Sequence, residues 1–475
     1  MPTLYHQIAR DITRDIERDI YQPGERLPGV RRLAQQYRVS ISTALEACRL
    51  LEDQGRLEAR LRSGFFVRTI AHQKASEPAM SNPPKRPHLV RGQEMALQLV
   101  KAANNPKLIS FGAAVPTADY LPIRAVNQAM QRALREHGMR AGQYEFPPGD
   151  LNLRRQIARR MTEFGCPIDP QELIITNGCQ EALCLALRVL TQPGDVVAVE
   201  SPTYYGLFQV LDFLGLKALE IPTHPRDGIS IESIEFALEQ WPIKAVIATP
   251  NFSNPLGSFM SDQRKRALVK LLASRQIALI EDDIYGDLSF SATSKAHERP
   301  TAARRFDPRG DTVIYCSSFT KTLAPGLRVG WIAPGKFQER IEYLKYVSNL
   351  ATPTAPQLAV ADLLEHGGYD RYLRQARADY AQAVYRMTQA VDKYFPEGTR
   401  VTQPEGGFVL WVELSNHVDS EALYERALQN GICIAPGPMF SATRKYRNFI
   451  RLNCAVPWNG RTEKALAKLG QLALG

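Results

Sequence analysis

Several protein classes are set aside by what this chain has little of. Among 475 residues there are only seven cysteines, Cys48, Cys166, Cys179, Cys184, Cys316, Cys433 and Cys454, and none forms a Cys-x-x-Cys pair. An odd, scattered set argues against a disulfide framework and against a zinc cluster, so no metal is expected, and a reducing cytosol suits it. Long apolar runs are missing too; none approaches the roughly 18 residues a membrane helix needs. The opening MPTLYHQIARDITRDIERDI mixes acids with bases and lacks an apolar core, so it does not read as a secretory signal. There is no internal repeat, and no low-complexity tract beyond one proline-rich stretch. Secreted, membrane and collagen-like classes fall away, and a cytoplasmic protein is expected.

What is present is ordinary globular material: 44% hydrophobic and 23% charged residues. The length favours more than one domain. The formal net charge is +10, which permits an anionic partner without requiring one.

Residues 1–68 read as one small unit. Leu4, Ile8, Ile12, Ile16 and Ile20 recur every fourth residue and share one helical face. Pro23-Gly24 stops that helix. A second, short helix carries Val30, Leu33 and Tyr37. The turn Arg38-Val39-Ser40 follows, with Ser40 as the N-cap of a third helix through Leu45, Cys48 and Leu51 to Gly55. Segments 57–60 and 65–67 flank Arg62-Ser63-Gly64 as a hairpin. Three helices and a hairpin outline a small α+β winged helix-turn-helix. Residues 30–68 hold eight arginines against four acids, and Ser40-Ile41-Ser42-Thr43 gives the third helix an N-terminus rich in hydroxyls and free N–H groups. A solvated basic face on a helical bundle has the same composition.

The segments PGERLPGVRRLAQQYRVS, LLEDQG and ARLRSGFFV resemble the N-terminal domain of GntR-type transcription regulators, from about Leu4 to Val67. The resemblance implies binding of double-stranded operator DNA. Arg31, the recognition-helix residues Ser40, Ser42 and Thr43, and the wing residues Arg60, Ser63 and Gly64 would make the contacts. Ile41 stands where many members carry Arg.

Residues 69–92, with Pro78, Pro83, Pro84 and Pro87 among polar neighbours, read as a linker partly extended by its prolines. From 93 onward β-rich runs alternate with amphipathic helices. The runs are 173–176, 196–200, 218–222, 245–250, 278–283 and 313–318; helices 180–190, 205–214 and 261–274 lie between them. That alternation predicts an α/β domain with a mostly parallel, doubly covered sheet, over about 130–340. Residues 341–475, together with 93–129, read as a smaller α+β domain.

Chemistry-bearing residues recur at the ends of these strands. In SSFTKTLAPGLRVGW, Lys321 follows an apolar strand and a short turn, where desolvation would lower its pKa and allow Schiff-base formation. Ser318 and Arg328 suit a phosphate dianion. Taken alone, the same residues are an ordinary surface Lys beside an Arg. In ALIEDDIY, Asp282 suits either a pyridinium nitrogen or a salt bridge, and Tyr285 lies three residues on. Asn254 in PNFSNPLG is a turn residue whose amide also suits a ring oxygen. Asn177-Gly178 between a strand and a helix start is a phosphate-cradling arrangement, or a simple βα turn. Tyr204 suits ring stacking or core packing. Arg451, set between apolar residues in NFIRLNC, calls for an anion, either a substrate carboxylate or an internal acid.

The ordered set Gly178, Tyr204, Asn254, Asp282, Tyr285, Ser318, Lys321, Arg328, Arg451 resembles class I aminotransferases of pyridoxal 5'-phosphate (PLP) fold type I, over about 95–475. The resemblance implies PLP held on Lys321, with Asp282 at the ring nitrogen, Tyr285 and Asn254 at the ring oxygen and Tyr204 stacked. Phosphate would fall to Cys179, Gln180, Ser318 and Arg328, and to Tyr144 of a neighbouring subunit. Cys179 stands where many members have Ser or Thr. Lys321, Asp282 and Tyr285 would be the catalytic residues and Arg451 the carboxylate ligand. A GntR-type reader joined to such a module is the architecture of MocR-type regulators. It implies a head-to-tail homodimer whose aminotransferase-like domain senses an amine or amino acid through exchange on Lys321. A true aminotransferase with an accessory DNA-binding domain is the alternative.

Overall fold

The computed structural model describes residues 4–17, 20–21, 25–53, 57–60, 63–67, 76–90, 94–290 and 299–474. These divide into two compact units, Met1–Lys74 and Ala75–Gly475.

In the first unit the helices are Leu4–Glu17, Val30–Tyr37 and Ile41–Asp53. Their apolar stripes meet in one core, where Ile8, Ile12, Leu33, Cys48 and Leu51 are buried. Arg38 closes the second helix in the left-handed conformation, φ 54°. Ser40 then caps the third: its hydroxyl accepts the Thr43 N–H at 3.1 Å. Strands Leu57–Arg60 and Gly64–Val67 pair antiparallel. The chain at 25–27 adds to the wing, through Leu27 N–H to the Phe65 carbonyl and Val67 N–H to the Glu25 carbonyl, both 2.9 Å. Pro23-Gly24, Gly55, Arg62 and the Arg60 side chain lie outside the described residues.

The second unit is built on a nine-stranded sheet. Strands Lys217–His224, Val196–Ser201, Ile243–Ala248, Ala278–Asp282 and Val313–Ser318 are adjacent and parallel. Their near-continuous apolar sequences fit burial on both faces. Gly330–Ala333 runs antiparallel between Val313–Ser318 and Ile174–Thr176. The alternation of strands and helices gave no warning of this reversed strand. Register sets Asp282 beside Cys316, and Gly330 between Ser318 and Thr176. Asp282, Ser318 and the turn after Thr176 therefore emerge at the same end of the sheet, the carboxyl end where ligands bind in open α/β sheets.

A second sheet orders Arg400–Val401, Val409–Glu413, Phe449–Asn453 and Ala435–Pro436. Its central strand carries Arg451, flanked by Trp411 and Ala435. Ile109–Ser110 pairs parallel with Ile432–Cys433 in a separate two-stranded sheet, which brings the 94–117 stretch beside the chain that enters Ala435–Pro436. Of residues 69–92, those at 76–90 are described, and they lie against this second unit. Among the described residues no helix is long and apolar enough to cross a membrane, and no cluster could hold a metal ion.

Candidate functional site

A cavity of about 420 Å³ opens at the carboxyl end of the large sheet. Lys321, Asp282, Tyr285, Asn254, Tyr204, Cys179, Gln180 and Arg328 all line it. Residues spread over about 150 positions of sequence thus converge because most lie at or after the carboxyl ends of parallel strands, and Arg328 lies in the turn that enters Gly330–Ala333.

Lys321 closes a short 3-10 turn, Phe319–Lys321, capped by Ser318, whose hydroxyl accepts the Thr320 N–H at 2.9 Å. Its Nζ donates to the Ala114 carbonyl at 2.7 Å. Burial, helped by the positive charges of Arg451 and Arg328, pushes the ammonium down to about 8. Asp282 is 9% exposed, and burial raises its carboxyl to about 6. The Cys179 thiol donates to Asp282 Oδ1 at 3.2 Å, so this side chain faces the carboxylate. The Cys179 and Gln180 backbones instead stand at the N-terminus of helix Cys179–Leu190, where N–H groups lack intrahelical acceptors.

Gly178 precedes that helix at φ 81°, and a Cβ there would meet Arg328 Nη2 at 2.6 Å. Arg328 is itself left-handed, φ 54°, and donates to the Asn177 carbonyl at 2.7 Å. The turn is therefore closed by a guanidinium, leaving a cationic, N–H-lined cradle suited to a phosphate dianion. Tyr285 is buried and Tyr204 partly so, and desolvation holds both phenols above their ordinary range. Tyr285 pairs with Asn254 and packs edge-on against Phe408.

Arg451 is 0% exposed. Its Nη1 donates to Asn254 Oδ1 at 3.1 Å and its Nη2 to the Gly112 carbonyl, while its Nε has no partner. Among the described residues it has no carboxylate within ion-pair distance. Tyr144 does not line the cavity. It is 69% exposed and stacks on Phe146, ring centroids 5.5 Å apart.

Beneath the site lies a second layer that sequence patterns did not single out. Asp283, fully buried, takes the Arg299 guanidinium at 2.5 Å, the Tyr315 hydroxyl at 2.9 Å and the Asn251 amide at 2.9 Å. It ties the strand ending in Asp282 to the turn bearing Asn254. Thr320 and Thr249 also line the cavity. Glu200, behind Thr249, accepts that residue's N–H at 3.1 Å, and burial pushes it up to about 8. Asp283, Asn251 and Thr320 stand in the same short segments as Asp282, Asn254 and Lys321, whereas Arg299 has no such neighbour.

In the first unit, Arg31 and Arg32 are exposed on the second helix, and Ser40 and Ser42 on the start of the third. Ser40 Oγ lies 2.8 Å from both the Ser42 and Thr43 hydroxyls. Ile41 is 54% exposed there. Arg26, which belongs to the PGERLP segment of the GntR resemblance, bridges to Phe66 and sits under Gly64 at the wing turn.

Comparison with known proteins follows the same division. Residues 4–67 match the family of bacterial regulatory proteins of the gntR type, and residues 106–469 match aminotransferase class I and II. The chain is 38% identical, over 99% of its own length and 98% of the relative's, to the uncharacterized HTH-type transcriptional regulator YjiR of Escherichia coli. It is 30% identical to aromatic-amino-acid aminotransferase 1 of Thermococcus litoralis, over 84% of this chain and 93% of that one. Kynurenine aminotransferase of Pyrococcus horikoshii, solved with PMP, superposes with a TM-score of 0.74 at 28% identity, covering 81% of this chain and 95% of the other.

Proposed function

The chain belongs to the GntR-family HTH-type transcriptional regulators whose DNA-binding domain is fused to an aminotransferase class I and II domain, and from that premise we propose a PLP-dependent regulator that senses an amine or amino acid. It works as a cytoplasmic homodimer on double-stranded operator DNA. The residues fit PLP. The Gly178 cradle has no room for a Cβ beside Arg328, and Asp282 is a buried carboxylate whose described hydrogen-bond donors are neutral.

When bound, PLP supplies an aldehyde that a lysine amine captures and that an incoming amine can claim. Desolvation keeps the Lys321 amine available in its neutral form near pH 8. Asp282 would hold a proton on the ring nitrogen, a charged partner to set beside its neutral hydrogen-bond donors. Tyr285 and Asn254 would hold the ring oxygen, and Tyr204 would stack on the ring. The Cys179 and Gln180 N–H groups, Ser318 and Arg328 would hold the phosphate, and Tyr144 would complete that set from the neighbouring subunit.

One observation carries the sensing step. Arg451 is a wholly buried cation with only neutral acceptors, Asn254 and the Gly112 carbonyl. Buried charges are paired in stable proteins, so this guanidinium is set to exchange neutral acceptors for a carboxylate. A ligand carrying both an amine and a carboxylate would engage Lys321 at the large sheet and Arg451 at the small one.

The complete Lys321, Asp282 and Tyr285 set also supports a second reading, a true aminotransferase. One experiment separates the two. The PLP-loaded protein is incubated with common L-amino acids and 2-oxoglutarate, and keto-acid formation and binding to its own upstream DNA are followed together. A regulator gives amino-acid-dependent DNA binding without sustained turnover. Turnover at an ordinary enzymatic rate of roughly 1–10³ s⁻¹, with DNA binding indifferent to the amino acid, would establish the enzyme instead.

A further inference from the structure

Residues 76–90 have the composition of a free tether, yet they form an extended strap bonded to both sheets of the second unit. On the large-sheet side His88–Leu89 pairs antiparallel with the edge strand Lys217–His224, and Val90 is fully buried. Ser81 brackets Thr223 at that strand's far end. Its N–H donates to the Thr223 carbonyl at 3.3 Å and its hydroxyl accepts the Thr223 N–H at 2.8 Å.

On the small-sheet side the Ser76 carbonyl accepts the Val401 N–H at 3.1 Å, and the Asn82 carbonyl accepts from Lys445. Glu77 does both tasks with one carboxylate. Oε1 accepts the Gln403 N–H at 3.1 Å, just past the first strand of the small sheet, and Oε2 pairs with Arg226, just past the edge strand of the large one. The Glu77 side chain is only 14% exposed although its Arg226 partner is 63% exposed.

The strap also reaches the ligand site's own elements. Ser81 bonds the Tyr446 hydroxyl, which lies 2.7 Å from Ser201 Oγ. Ser201 ends the strand that leads to Tyr204, and Tyr446 sits at φ 62° just before the strand that bears Arg451. A non-glycine residue held in the left-handed region marks a loop whose conformation is fixed by its contacts. Ordering such a segment costs chain entropy, which Pro78, Pro83, Pro84 and Pro87 reduce by stiffening the unfolded chain.

We propose that residues 76–82 are a coupling strap, pinned by Glu77 across the seam between the two sheets, that passes their relative position along the chain to the DNA-binding unit. The inference rests on the ligand site under Proposed function, where Lys321 belongs to one sheet and Arg451 to the other. A ligand that draws the two together must break one set of strap bonds or move the strap, because the strap holds both. A shift in DNA affinity then reflects the ligand's preference between strap positions.

The test uses the full-length, PLP-loaded protein and Glu77→Gln, with Arg226→Gln as an exposed second variant that cannot unfold the core. Amide hydrogen exchange is read at Thr223, Val401 and Gln403. The expected result is that all three amides exchange roughly three- to tenfold faster together, the range for losing a partly exposed charge-assisted bond, with the PLP band unchanged. Faster exchange at Gln403 alone would overturn the strap. In the second arm the common L-amino acids are the probes, taken singly, and those that shift the PLP band are carried into DNA binding. Glu77→Gln should keep the band shift and lose the DNA response. A DNA response that survives in Glu77→Gln overturns the coupling. If no amino acid moves the wild-type band, the sensing proposal falls, and the exchange arm still decides whether the strap is one unit.

Discussion

Two sets of cations, one in each unit, meet solvent in opposite ways. In the first, Arg31, Arg32, Arg38 and Arg49 stand in solvent on helices or at helix ends. In the second, Arg451 and Lys265 are 0%, Lys345 1% and Arg304 2% exposed. Exposed cations act by number, each worth little and screened by salt, which is how phosphate backbones are read. A buried cation acts singly, because its desolvation must be offset by particular partners: Lys345 by Glu181 at 2.8 Å, Lys265 by the Asn251 amide oxygen at 2.7 Å. Substitutions in the first unit should therefore give graded effects, and those in the second steep ones.

The steepest should be Lys321→Ala, which is expected to abolish the lysine-bound PLP absorption and the borohydride-fixed label at that position. In the wild type the burial of Lys321 sets a pH signature. Only the neutral amine attacks an aldehyde, and burial favours the neutral form, so the rate of PLP capture by cofactor-stripped protein should rise through a midpoint near 8. Arg451→Ala removes a charge that disfavours the ammonium, so its midpoint should move up. A wild-type midpoint at the ordinary lysine value would contradict the desolvated lysine.

Next is Arg299→Met. It leaves Asp283 with the neutral donors Tyr315 and Asn251 and its buried charge unmatched, while Asp287 keeps Arg160 at 3.9 Å. The expected loss is about 3–5 kcal/mol in the urea unfolding of the second unit, with the first unit's transition unmoved. The smallest effect belongs to Arg31→Ala. It should lower DNA affinity and flatten the dependence of log K on log salt by about one, while stability changes by less than about 0.5 kcal/mol. An Arg31→Ala variant as destabilised as Arg299→Met would erase the contrast between the units.

The same contrast explains what could be read from sequence. Strands such as Val196–Ser201 and Val313–Ser318 open on four apolar residues before their polar ends, so their place in a doubly covered sheet was legible. Lys321, Asp282, Tyr285 and Asn254 were legible because each sits in a short motif, and the order of those motifs along the chain is distinctive. Ser40 announced itself as a cap by its position before an apolar helix. The strap was not legible. Glu77 lies in a proline-rich polar stretch, and its partners Arg226 and Gln403 are 149 and 326 residues away. Nor was the direction of the Cys179 thiol, which depends on Asp282, 103 residues on. The reversed strand Gly330–Ala333 is four residues long, too short for its direction to show in any pattern.

The most direct measurement is the affinity of the full-length protein for its own upstream DNA as an amino acid is titrated, with the PLP band recorded in the same samples, for wild type and Arg451→Ala. Wild type should change DNA affinity several-fold to about a hundredfold as the band shifts, the range of coupling energies of roughly 1–3 kcal/mol. Arg451→Ala should keep its PLP colour and basal DNA binding and lose that response. A response of undiminished size in Arg451→Ala would contradict the account, because the ligand would then act without the carboxylate contact that joins the two sheets.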